Sequence, residues 1–173
     1  MVQIHEGNNR GSFQRTVTTP AGVTYNPRWW SYDGGKPLET LKKAMAIIQK
    51  SCRTGSGCNS YFRRLTGRRS FKDVWDDPGV WIHWDPRGNP GFYGFTTTEF
   101  PVGDVTISNF SLNRGVWTTV ATLVHELAHV NGASVSNMEA ENALPPCGLK
   151  ALFVPGAIGV QDVASGDSGS RYA

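Results

Sequence analysis

The stretch TLVHELAHVNGA, residues 122–133, sets His125 and His129 four residues apart, with Glu126 directly after the first. On an α-helix, residues four apart lie one above the other on a single face. Two imidazole nitrogens can then meet one divalent ion. Glu126 falls about a hundred degrees round the helix, where a carboxylate can take a proton from water on that ion. Zinc suits this donor set, and a catalytic zinc takes a third protein ligand while leaving one position open. The chemistry specified is hydrolysis, with Glu126 as general base and an activated water attacking a carbonyl.

The third ligand must come from elsewhere. An extended form of the motif carries a further ligand six residues beyond the second histidine. Here that position is Val135, so a carboxylate has to return from the segment downstream. SVSNMEAENALPPCG, residues 134–148, offers Glu139 and Glu141. Ser136 and Glu139 have the S-x-x-E spacing of a capping box, which gives Glu139 a structural occupation. Glu141 lies between Met138 and Leu144 and is the favoured ligand, because a metal offsets the cost of burying a carboxylate. For stabilising charge on the reacting carbonyl, His83 and Tyr93 are the leading candidates, with Tyr61 and Arg114 behind them.

The motif works only on a helix, and apolar spacing supplies one independently. Val116, Val120, Leu123, Val124 and Leu127 recur at threes and fours until Gly132, predicting a helix over 116–131. Upstream, PLETLKKAMAIIQKSC repeats Leu38, Leu41, Met45 and Ile48 on one face, a second amphipathic helix. CNSYFRRLTG predicts a short helix closed by Gly67, and Ser70 with Asp73 marks another helical start. VWIHWD, FYGFTTTEF and DVTISNF are aromatic and β-branched, and read as three strands. Their connections are too short for crossover helices, so an antiparallel sheet is expected. FQRTVTTPAGVTYNP predicts a hairpin or extended arm. The expected division is a polar leader over 1–12, one α+β domain over 13–163 and a disordered tail over 164–173.

HELAHVNGA followed by AENALPPCG resembles the zincin metallopeptidases with a glutamate ligand. More narrowly, it is similar to the compact metallopeptidase toxin domains at the C-termini of bacterial RHS-repeat and related polymorphic toxins and effectors. The likeness is clearest over residues 104–149 and weaker in CNSYFRRLTG. It implies a zincin-like fold, bound Zn2+ and proteolysis, with His125, His129 and Glu141 as ligands and Glu126 as the catalytic group. A protein or peptide substrate and a cognate immunity or inhibitor protein are the partners expected of such a domain. The N-terminus carries no secretory signal, so the expected location is a target cell or the exterior, reached as part of a larger exported chain; the cytoplasm is the alternative.

Composition sets outer bounds. With 18% charged and 39% hydrophobic residues, the 173-residue chain has a globular profile and can bury a real core. Its longest apolar run, ALFVPGAIGV, is too short and too broken to span a bilayer, so no membrane partner is expected. A net charge of +3 is too mild to demand nucleic acid. The stretch RRLTGRR, Arg63 to Arg69, with Tyr61, Phe62 and Phe71 beside it, is the one feature that would suit a nucleic-acid-binding module. A zinc amidase acting on cell-wall peptide is the other alternative, since an activated water attacks any suitably held carbonyl. Cys52, Cys58 and Cys147 allow one disulfide, Cys52 with Cys58 or Cys147 with either, or three free thiols.

Overall fold

A computed structural model describes residues 1–7, 17–18, 24–25, 30–88, 90–97, 103–134 and 137–152. In chain order these form β1 (Gln3–Ile4), β2 (Val17–Thr18), β3 (Thr24–Tyr25), α1 (Gly35–Ile47), α2 (Ser56–Phe62), α3 (Phe71–Trp75), β4 (Val80–Asp85), β5 (Gly94–Thr97), β6 (Gly103–Ser108), α4 (Asn109–Arg114) and α5 (Val116–Val130). Short 3-10 turns follow at Glu141–Ala143, Pro145–Cys147 and Lys150–Leu152. The class is α+β. None of the described helices is long and apolar enough to cross a membrane.

The main sheet has the order β1-β4-β6-β5 and is mixed, which corrects the expected antiparallel sheet. β1, β4 and β6 run parallel, and only β5 is antiparallel, to β6. The chain returns through β5 itself on the far side of β6, so β4 and β6 lie parallel with no crossover helix among the described residues between them. In this order β6 is interior and β5 is the last strand. β2 and β3 form the expected hairpin, with Val17 opposite Tyr25 and Thr18 opposite Thr24.

Residues 1–6, read above as part of a polar leader, belong to the fold. Gln3 and Ile4 pair with Trp81 and Ile82, while Val2 and His5 are buried. The two-residue alternation in VQIH is too short to register as a strand against the polar residues after it. The rest of that leader, residues 153–163 and the tail over 164–173 lie outside the described residues.

Alternation along the strands sorts their side chains between two faces. Ile4, Ile82, Val105 and Thr96 stand in register on one face, and Ile82 and Val105 enter the core with Leu123, Val124 and Leu127 of α5. His83 is in register with Thr106, and Thr106 with Phe95, on the opposite face.

The helices follow their sequence signals closely. In α1, Leu41 and Met45 are buried, and the helix widens at Ile48–Cys52 into a π-helical turn. α3 opens on the anticipated box: Ser70 Oγ accepts from the Asp73 amide at 3.1 Å, and Asp73 Oδ2 accepts from the Ser70 amide at 2.9 Å. α2 stops at Phe62, short of Gly67. DVTISNF, expected as one strand, ends at Ser108. That hydroxyl accepts from the Ser111 amide at 3.3 Å, so Asn109 and Phe110 begin α4 instead.

α5 is central. Every residue from Thr119 to His129 is buried, as befits a helix enclosed on all sides. Burying Leu123 and Leu127 contributes about 1.5–3 kcal/mol each, and this apolar seating carries the polar residues of the motif inside with it.

Candidate metal centre

α5 brings His125 and His129 together as the spacing requires. Their Nε2 atoms stand 3.1 Å apart. Two nitrogens at typical zinc distances of about 2.0–2.1 Å and this separation would subtend about 100° at the ion, close to a tetrahedral angle. The pair therefore fits two sites of one zinc.

The end of the helix fixes the orientation of His129. Gly132, at φ +81°, terminates α5 with its amide on His129 O at 2.8 Å and the Ala133 amide on Ala128 O at 2.9 Å, the paired bonds of a Schellman turn. This turn swings the Ala133 carbonyl to 2.9 Å from His129 Nδ1. A carbonyl can only accept, so Nδ1 carries the proton and Nε2 presents its lone pair. Burial, and then the neighbouring His129, hold the His125 imidazole well below its usual range, so it is neutral and able to ligate. His125 Nδ1 is buried and meets no hydrogen-bond partner among the described residues.

Glu126 is fully buried between α5 and the edge strand. Its Oε2 accepts from Thr96 Oγ1 at 2.7 Å. Gly94 lies beside Oε1: a Cβ there would stand 3.2 Å from Oε1, 3.0 Å from Thr122 Cγ2 and 2.7 Å from Thr106 O. β5 thus runs alongside the helix in the same sense, Gly94 near Thr122 and Thr96 at Glu126.

The returning segment is pinned to α2. The Tyr61 hydroxyl donates to Glu139 O at 2.7 Å, and Cys58 is disulfide-bonded to Cys147. Gly57 lies so close to Pro146 that a Cβ there would come within 2.7 Å of its carbonyl oxygen. Cys147 is therefore committed to a disulfide and not to a closed metal site. Cys52 is the free cysteine; its Sγ donates to Cys147 O at 3.5 Å, and burial pushes the thiol up to about 11.

Glu139 has a structural role, though with Ser134 as donor: its Oε2 accepts from that amide at 2.7 Å. Ser136, the partner expected from the capping-box spacing, lies outside the described residues. Glu141 opens the first 3-10 turn, half-buried, and its charge reaches Tyr61, whose hydroxyl is raised by burial first and then by Glu139. Among the described residues, no three His, Cys, Asp or Glu side chains close into one metal-holding group. The structure thus brings the two histidines together, places the Glu126 carboxylate at Thr96 and does not bring Glu141 onto the pair.

The candidates for charge stabilisation separate. His83 lies on the sheet face turned away from α5, bonded through Nε2 to Asp104 at 2.8 Å and through Nδ1 to His5 at 3.0 Å. That placement corrects its reading as a transition-state stabiliser: a strand of alternating side chains cannot turn it through the sheet. Tyr93 directly precedes β5, its ring edge-on to Phe110 with the Arg114 guanidinium 6.0 Å from its centroid. Tyr61 is held on the Glu139 carbonyl.

Within the basic stretch Arg63, Arg64 and Arg68 are exposed, and Arg69 is drawn into the fold. Arg69 pairs with Asp77 at 2.8 Å and donates to Val130 O at the end of α5 at 3.2 Å. Arg64 lies over the Tyr61 ring. Asn131 Nδ2 donates to Phe62 O and Arg69 O, and Gly67 fits against Asn131, where a Cβ would stand 2.5 Å from Oδ1.

Thr96, Gly94, Asn131 and the Ala133 carbonyl are the supporting groups that motif reading misses. The first two come from a strand far away in the chain. The letters after the motif, N-G-A, do carry a signal for the other two, as a helix terminator one turn beyond a ligand. Comparison with protein-family models, with curated proteins and with solved structures finds no match to this chain.

Proposed function

We propose that this chain is a zinc-dependent endopeptidase of the zincin type, a toxin or effector module carried by a larger exported protein. The observation that carries the reading is the pair of Nε2 atoms 3.1 Å apart on α5, one anchored by a carbonyl behind it, with Glu126 buried on the same helix. His125 and His129 would hold the ion. Glu141 would complete the set, because the Glu139 carboxylate is engaged by the Ser134 amide. When bound, zinc lowers the pKa of a coordinated water toward neutrality and polarises a carbonyl. Glu126 takes the proton that the attacking water gives up and returns it to the departing amine. β5, the last strand of the sheet and the neighbour of Glu126, gives an extended peptide a backbone edge to pair with.

Glu126→Gln tests this directly. The variant is expected to bind about one zinc per chain and to lose turnover by about 10²–10⁴-fold. Cleavage of unfolded protein at the wild-type rate by this variant, or a wild-type chain that takes up no zinc, would reject the proposal. Purified cell wall, incubated in parallel, separates an endopeptidase from a cell-wall amidase.

A further inference from the structure

We infer that Thr96 is a positioning residue for the Glu126 carboxylate, so that the edge strand serves the reaction through a side chain as well as through its backbone. The inference rests on the metallopeptidase reading above.

Thr96 Oγ1 lies 2.7 Å from Glu126 Oε2 and 3.1 Å from Glu126 O. The hydroxyl has one proton to give. The nearer carboxylate is the stronger acceptor in its ionised, base form, since bonds to ionised groups are shorter and roughly twice as strong as neutral ones. Both residues are fully buried. The Thr96 backbone is fixed by its pairing with Val105, and a β-branched side chain has restricted χ1, so the donor is delivered in one place.

The carboxylate needs such a donor. The terminal torsion of a glutamate is broad and roughly two-fold, so the group turns unless something holds it. Two residues before Thr96 on the same strand face, Gly94 has no side chain to crowd Oε1. β5 therefore offers the carboxylate a hydroxyl on one oxygen and a glycine without a side chain beside the other. A carboxylate held this way spends no time in orientations that miss the attacking water, and positional losses of this kind are read in kcat rather than in binding.

A merely structural Thr96 would affect stability alone, and three substitutions distinguish the two roles. Thr96→Val keeps the shape and deletes the donor, Thr96→Ser keeps the donor, and Thr96→Ala stands in should the valine variant fail to fold. Zinc affinity is read by competition with a chelator, and kcat and KM with a fluorogenic peptide that the wild-type chain cuts. Thr96→Val, or Thr96→Ala in its place, is expected to hold zinc and KM within about two-fold of wild type while kcat falls by about ten-fold or more. Thr96→Ser is expected to recover kcat to within about three-fold, and a crystal structure of the valine variant to show the Glu126 carboxylate turned. Unchanged kcat in the valine variant, or a serine variant as slow as the valine one, overturns the assignment and leaves the metallopeptidase reading standing. A wild-type chain that neither binds zinc nor cuts peptide overturns both.

Discussion

His125 and His129 bring their Nε2 atoms to 3.1 Å, and His5 and His83 bring their Nδ1 atoms to 3.0 Å; both pairs are buried. What the outer nitrogens meet is different. Behind His83 stands Asp104, which accepts from Nε2 at 2.8 Å. His83 Nδ1 is then a lone pair, His5 Nδ1 donates into it, and a chain of donors runs unbroken to a carboxylate. The pair ties β1 to β4 and β6, with a carboxylate as the acceptor behind it. Behind His129 Nδ1 stands a neutral carbonyl, and His125 Nδ1 ends on nothing among the described residues. A buried polar atom left in that state costs about 1–3 kcal/mol, and such costs collect at functional sites. Spacing between imidazoles therefore does not tell the two pairs apart, and the partners of the outer nitrogens do.

The largest effect that could break this contrast is zinc stoichiometry. His129→Ala is expected to abolish stoichiometric zinc, whereas His83→Ala keeps about one ion per chain by metal analysis. The opposite pattern would exchange the roles of the two pairs. Next in size is stability. His83→Ala removes a buried partner of Asp104 and is expected to cost about 3–5 kcal/mol by urea unfolding, against about 1–2 kcal/mol for His129→Ala in metal-free protein. Equal costs would mean that the carboxylate behind the sheet pair adds nothing to its hold.

The smallest effect sharpens the contrast rather than breaking it. Gly132 holds φ +81° with Thr66 Cβ 3.1 Å from where its own Cβ would be. Gly132→Ala is expected to cost about 1–2 kcal/mol and to weaken zinc binding by about ten-fold, because the Ala133 carbonyl that orients His129 moves. Zinc affinity equal to wild type in that variant would show that the carbonyl behind His129 is irrelevant to the ion.

Sequence periodicity reached the helices because each is specified locally. The apolar spacing of α1 and α5, the Ser70–Asp73 box and the stop at Gly132 all involve residues within a turn or two of one another. The same locality made His125, Glu126 and His129 readable as a group. Strand direction was not readable, since parallel pairing of β4 with β6 depends on where the chain goes between them, and a two-residue strand at the N-terminus has no period to detect.

The letters alone settled the types and helical phase of the chemical groups: two imidazoles one turn apart, a carboxylate beside them, and a glycine that ends the helix one turn later. Tertiary structure decided what those groups face. It put Thr96 and Gly94 against Glu126, turned His83 to the far side of the sheet, gave Glu139 to the Ser134 amide, and paired Cys58 with Cys147. The physical reason is range. Helical phase follows from bonds between near neighbours, whereas the partner of a buried polar atom is set by whichever distant segment packing brings to it.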